Sequence, residues 1–231
     1  MVYNHMDKVF LVMLDRSMWF SPAFEAITAD DMKALLARNP RLRDTQASAK
    51  DSLTFTFSYA QKVFLCTAIE EQLLQHYINS LGLLAQLSGN DLSSFRTLQQ
   101  WIGERKGPPS WEEWLLLDRD KKLKMLKGLS LSNLATAQQF FREIYSEDCF
   151  VSALTEEGYK TLLGTYQNLQ EERNGILHRG GELRDGRRIE ASESEIRETF
   201  GLATRVRNQL LVFSKWCHGW WINKVTTNFA K

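Results

Sequence analysis

The residues best suited to chemistry lie in one short run, Gln170-Glu171-Glu172-Arg173-Asn174-Gly175-Ile176-Leu177-His178-Arg179-Gly180-Gly181. An arginine keeps its charge at any working pH and grips a phosphate through two parallel N–H groups. A histidine exchanges protons near neutrality and can act as a general acid or base. Asn174 precedes His178 by four residues, so on a helix the two share a face. An amide there would orient the imidazole or donate to a phosphate oxygen. The trio Arg173, Asn174 and His178 suits a substrate that carries phosphate.

A long amphipathic helix must position them. At about 100° per residue, Tyr159, Leu162, Leu163, Tyr166, Leu169, Ile176 and Leu177 fall on one apolar stripe. Arg173 sits within that stripe, where a charge is costly to bury without a partner. Gln167, Glu171, Asn174 and His178 form a polar stripe beside it. Gly175 is expected to weaken the helix interior, and Gly180-Gly181 to end it. A plainer reading of the same run is a helix end whose His favours the dipole and whose Arg is paired in the core.

Arg173-Asn174-x-x-x-His178, followed by Arg179-Gly180-Gly181, resembles the signature of the HEPN superfamily (higher eukaryotes and prokaryotes nucleotide-binding domain). The likeness covers about a dozen residues. It implies an all-α helical bundle and a metal-independent endoribonuclease that needs no cofactor. It also implies a homodimer and a role as a toxin or antiviral defence effector, with an antitoxin or sensor protein as possible partner. Arg173, His178 and Asn174 would be catalytic. The 2′-OH of RNA would attack the adjacent phosphate, giving a 2′,3′-cyclic phosphate and a 5′-OH. One His per chain makes a dimer a natural way to supply both base and acid. Toxins of this type that pair with nucleotidyltransferase antitoxins carry a Tyr two residues after the His. Gly180 stands there instead, so regulation through such a Tyr is not implied. The alternative is a non-catalytic HEPN module that binds RNA or nucleotide or mediates assembly. A third reading is a structural protein in which Arg173 pairs with an acid and His178 is incidental.

Two further sets of residues bear on the site. Arg179, Arg184, Arg187 and Arg188 crowd the loop after the signature and are candidates for RNA binding. The segment Ala68-Ile69-Glu70-Glu71-Gln72-Leu73-Leu74 resembles the first long helix of many HEPN proteins. Glu70 or Glu71 is the expected partner of Arg173; the plainer reading is a solvated acidic step.

Composition sets the frame. The chain has 231 residues, 43% hydrophobic and 25% charged, enough for a core with an appended subdomain. A formal charge of +1 means that any RNA affinity comes from local patches. Cys66, Cys149 and Cys217 are widely spaced, as for free thiols in a reducing compartment. Asp15 and Arg16 cut short the apolar run Val9 to Leu14, so no signal peptide is expected. Gln61 and Lys62 interrupt Leu53 to Ile69, so no membrane span is expected. The expectation is a soluble cytoplasmic protein with no membrane partner. His5, His76 and His218 are scattered and lack metal-ligand spacing.

In chain order, residues 1–47 read as an N-terminal extension to a single domain, with a helix capped by Thr28 ending near Arg38. Ser48 to Leu84 reads as a central helix, apolar on nearly every side. Residues 89–130 read as an insertion of short helices. These are Leu92 to Glu104, a helix opened by the capping box Ser110-Trp-Glu-Glu113 after Gly107-Pro-Pro109, and one capped by Asp118 running to Lys127. Ser132 or Asn133 starts a helix to Tyr145, and Thr155-Glu-Glu157 opens the signature helix. Asp185-Gly186 suggests a small β-ribbon or ordered loop. Ser192-Glu-Ser-Glu195 is a second capping box. It starts a last helix with Ile196, Phe200, Ala203, Val206, Leu210, Ser214 and Trp221 inward. Arg119, Lys121, Lys122, Lys124 and Lys127 read as a solvated face. The tail Lys215-Trp-Cys-His-Gly-Trp-Trp-Ile-Asn-Lys224 reads as core plus partner surface, with base stacking as the alternative.

Overall fold

The structure, a computed structural model, describes residues 49–87, 95–104, 110–126, 128–129, 131 and 133–229. The N-terminal extension, the Thr28 helix, the start of the Leu92 helix, Gly107-Pro-Pro109 and His5 lie outside the described residues. Helix accounts for 83% of what is described, with no strand among the described residues, so the described part of the chain is all-α. The helices are α1 (Ala49–Leu87), α2 (Arg96–Gly103), α3 (Trp111–Leu116), α4 (Arg119–Leu126), α5 (Leu134–Tyr145), α6 (Cys149–His178) and α7 (Glu193–Phe229). None of them is long and apolar enough to cross a membrane. The chain divides into two compact units, Met1–Ile69 with Thr165–Asn208, and Glu70–Gly164 with Gln209–Lys231.

The helix boundaries follow local chemistry. Ser110 Oγ accepts from the Glu113 N–H and the Glu113 carboxylate accepts from the Ser110 N–H, which completes the capping box of α3. Asp118 caps α4 by accepting from the Lys121 N–H at 2.8 Å. Asn133 caps α5 by accepting from Ala135 at 2.9 Å. The signature helix opens at Thr155 as expected, but a shorter helix from Cys149 runs into it across a kink there, where φ is 68°, so α6 spans both. Thr155 Oγ1 then accepts from the Gly158 N–H at 3.3 Å, so Thr155 recaps the helix in mid-course.

The second unit is built on aromatic packing. Phe150 stacks on Phe213 with centroids 4.5 Å apart, and Phe141 meets Tyr77 edge-on at 5.8 Å. Tyr145 packs against Trp216, Trp220 and Trp221, so the tryptophan tail serves the core on at least one face. Cys149 and Cys217 are buried here as free thiols, and burial pushes the Cys217 thiol up to about 12. His76 is buried with its Nε2 within 2.7 Å of Gln72 and 2.6 Å of Ser214 Oγ. Burial lowers its basicity to about 4, so the ring is neutral at pH 7. Among the short helices, Lys121 pairs with Asp118 and Lys122 donates to the Leu115 carbonyl.

The first unit packs α1 residues Leu65, Cys66 and Ile69, α6 residues Tyr166 and Leu169, and α7 residues Ile196, Ala203 and Val206 into one core. Two expectations are corrected here. The first part of α1 is not apolar and buried all round, because Phe55 and Phe64 are exposed. Lys62, read as an interruption, is instead only 1% exposed. Its ammonium lies 2.9 Å from Glu172 Oε1 on α6 and 2.6 Å from Glu195 Oε1 on α7. Glu195 therefore does not close a reciprocal box with Ser192. Ser192 Oγ still accepts from the Glu195 N–H at 3.1 Å, but the carboxylate goes to Lys62.

Burial by itself would lower the basicity of Lys62; the hydrogen bonds and charges of Glu172 and Glu195 outweigh it and raise the ammonium above its ordinary value. A base whose folded value is raised adds stability that is complete below the unfolded value of 10.5 and lost as pH climbs through the folded one. Lys62→Met keeps the volume but strands two carboxylates. It should cost about 3 kcal/mol at pH 7, and the gap to wild type should close above pH 10.5. Urea denaturation of both proteins from pH 7 to 11 reads this directly.

Candidate active site

The signature run occupies the C-terminal end of α6, and all of it lies in the first unit. Three residues of α1 on one stripe, Tyr59, Lys62 and Cys66, hold the neighbouring structure. Lys62 fixes Glu172. Cys66 Sγ accepts from Arg173 Nη1 at 3.9 Å. The Tyr59 hydroxyl donates to the Ile189 carbonyl at 3.4 Å in the loop that follows the signature. Burial raises the Tyr59 phenol, with the charges of Lys62 and Arg188 acting against it.

The turn after His178 is set by close packing. The Gly175 carbonyl accepts from the N–H groups of Arg179 at 3.0 Å and Gly181 at 2.9 Å. Gly181 has φ +90°, and a side chain there would run into the Tyr59 hydroxyl. The loop then folds back through Leu183 N–H to the Arg187 carbonyl at 2.8 Å, and Ile189 N–H to the Gly181 carbonyl at 2.8 Å. Gly186 takes φ +82° at the tip. A single antiparallel bridge joins Glu182 to Arg188, so the segment is an ordered loop with a ribbon-like pairing.

Gly175, expected to weaken α6, sits in a helix that runs through it unbroken. A Cβ there would come within 2.6 Å of the Glu182 carbonyl oxygen and 2.8 Å of Ile189 Cδ1. The glycine lets the loop lie directly on the helix just before His178. No periodicity argument finds this, because both neighbours belong to the loop beyond the helix end.

The candidate residues divide by environment. His178 is exposed and Arg173 and Asn174 are half-buried. No hydrogen bond joins Asn174 to His178 among the described residues, which leaves the amide available to a ligand. Leu177, placed on the inner stripe by its spacing, is 54% exposed, because the stripe rotates outward in the last turn of the helix. Glu70 and Glu71, the expected partners of Arg173, fall in the second unit. Glu71 Oε1 there accepts from Gln75 Nε2 at 2.6 Å.

The four loop arginines are not equivalent. Arg179 Nη2 lies 2.8 Å from Glu171 Oε1, and its Nε donates to the Glu182 carbonyl at 2.8 Å. Arg184 donates its backbone N–H to Glu171 Oε1 at 2.9 Å, with its Nε 3.3 Å from Oε2. Arg187 pairs with Asp185 at 2.7 Å. Arg188 is exposed with no carboxylate partner among the described residues. The spacing places Glu171 only in a polar stripe and gives no sign that its carboxylate meets two of the loop arginines. Among the described residues no group of three or more His, Cys, Asp and Glu side chains gathers as a metal site would need.

Comparison with protein-family models, with curated proteins and with solved structures finds no match to this chain.

A pair of glycines in α6 separates packing from propensity. Gly164→Ala opens onto free space and should stabilise by up to about 1 kcal/mol, since nothing lies within 4 Å of its Cβ. Gly175→Ala has the same helical gain but must displace a backbone carbonyl. It should destabilise by about 1–3 kcal/mol, and thermal melts of the two variants should move in opposite directions.

Proposed function

We propose that the chain is a metal-independent endoribonuclease of the HEPN type, with Arg173 and His178 as its catalytic residues and Asn174 as their helper. The observation that carries this reading is the contrast along about one and a half turns of α6. Arg173 is half-buried and held in place beside Cys66. His178 is exposed at the helix end. A fixed cation and an accessible proton carrier are what phosphoryl transfer to an internal hydroxyl needs.

In the proposed reaction the ribose O2′ attacks the adjacent phosphorus and the P–O5′ bond breaks. The O2′ proton passes to a neutral imidazole, and a protonated imidazole supplies a proton to O5′. Arg173 balances the extra charge on the phosphorane through its two-pronged N–H face. Asn174 donates to a phosphate oxygen. A homodimer supplies the two histidines, one from each chain, so that neither has to act as base and acid at once. A toxin or antiviral defence role, with an antitoxin or sensor partner, belongs to the same proposal.

The test is kinetic. His178→Ala should cut the cleavage rate of a single-stranded RNA at least about a hundredfold while leaving RNA affinity within about twofold, since its work is in the transition state. Arg173→Lys should also fail, because an ammonium cannot reproduce the guanidinium fork. RNA with a 2′-deoxy sugar at the cut site should resist. Equal rates for wild type and His178→Ala overturn the assignment. Tight RNA or nucleotide binding without any cleavage favours the non-catalytic module instead.

A further inference from the structure

The Glu171 carboxylate sits in an oxyanion seat. Its Oε1 accepts from Arg179 Nη2 at 2.8 Å and from the Arg184 N–H at 2.9 Å. Its Oε2 faces Arg184 Nε at 3.3 Å. Two guanidinium groups and a backbone N–H thus converge on a single two-oxygen anion, on the loop that leaves the helix of Arg173 and His178. A phosphodiester presents the same feature, two non-bridging oxygens sharing one negative charge.

We propose that Glu171 stands in for an RNA phosphate, holding shut a phosphate seat formed by Arg179 and Arg184 beside the signature helix, and so restrains RNA binding. The inference rests on the reading of this region as an RNA-cleaving site. Glu171 is displaceable: its side chain is 31% exposed, with those of its partners Arg179 and Arg184 30% and 79% exposed. The pair with Arg184, open to water, is weak, and RNA can replace both contacts with its own backbone oxygens, which keep the charge of each guanidinium matched. The seat itself does not depend on the pair. The Arg184 N–H is presented by the loop between Leu183 and Arg187, whose own backbone bonds and the Gly175 packing hold it in position. The carboxylate therefore closes a site that the loop builds without it.

The binding arm of the test uses a fluorescein-labelled single-stranded RNA of about 20 nucleotides and fluorescence anisotropy across a salt series. Glu171→Gln keeps shape and size and removes the competing charge. Its Kd should fall at least about threefold, and the salt dependence should steepen by about 0.7 in log Kd against log salt for each phosphate newly held. Arg184→Ala should erase the gain when combined with Glu171→Gln. Circular dichroism melts check the fold. If Glu171→Gln melts early, Glu171→Asp, which pulls the charge back by one methylene, should give the same change in smaller measure. An unchanged or weaker affinity in a folded variant overturns the proposal and makes Glu171 a brace for the loop. Parallel cleavage assays separate the two claims. Tightening through Arg184 without cleavage keeps the seat and rejects the nuclease. Cleavage by wild type without tightening keeps the nuclease and rejects the seat. No RNA binding by either protein rejects both.

Discussion

A buried ammonium with two carboxylates organises the signature end of the molecule. Lys62 is 1% exposed, and a lone charge so placed would be expelled or neutralised. It persists because Glu172 and Glu195 reach it from two other helices. The arrangement is selective about register. Shifting α6 by one residue turns Glu172 about 100° away and leaves Lys62 short of a partner. Glu172 immediately precedes Arg173, so the contact that satisfies Lys62 also sets where the arginine points. Glu195 lies in the first turn of α7, where a carboxylate is also favoured by the helix dipole. One cation thus ties the middle of α1, the end of α6 and the start of α7.

The loop after His178 is held by a second layer of constraints that depend on the first. Tyr59, one helical turn before Lys62, lies against Gly181 and donates to the Ile189 carbonyl. Gly175 lets the Glu182 carbonyl lie against the helix. The chain leaves α6 by a path with little room for side chains, which accounts for glycine at 175 and 181. The histidine stays at the surface while the arginine earlier on the same helix is held below it.

Much of the fold was legible because its signals are local. Ser110 with Glu113, Asp118 and Asn133 each cap a helix within three residues of themselves, so sequence spacing and structure agree. The ending of α6 at Gly180-Gly181 was equally readable. Features that depend on distant partners were not. Ser192-Glu-Ser-Glu195 looks like a complete capping box, but a buried cation outcompetes the Ser192 N–H for the carboxylate. Gly175 looks like a weak point until its neighbour Glu182 is known. Leu177 fits the apolar stripe by periodicity and is exposed in the last turn of α6, where the stripe turns outward. Lys62 looks like a break in an apolar run because both its partners lie far along the chain, Glu172 being 110 residues away. The candidate site rests on residue types and spacing, while the contacts of Glu171 with Arg179 and Arg184, 8 and 13 residues on, lie beyond what spacing shows.

The proposed role of Arg173 and His178 is cleavage of RNA through its own 2′-OH. The most direct measurement is the chemistry of the ends. Purified wild-type protein is incubated with a defined RNA in excess chelator, and both products are resolved by mass spectrometry. Cleavage should be undiminished, with an upstream fragment ending in a 2′,3′-cyclic phosphate and a downstream fragment starting with a free 5′-OH. A 5′-phosphate on the downstream fragment, or cleavage that vanishes with chelator and returns with magnesium, would contradict it.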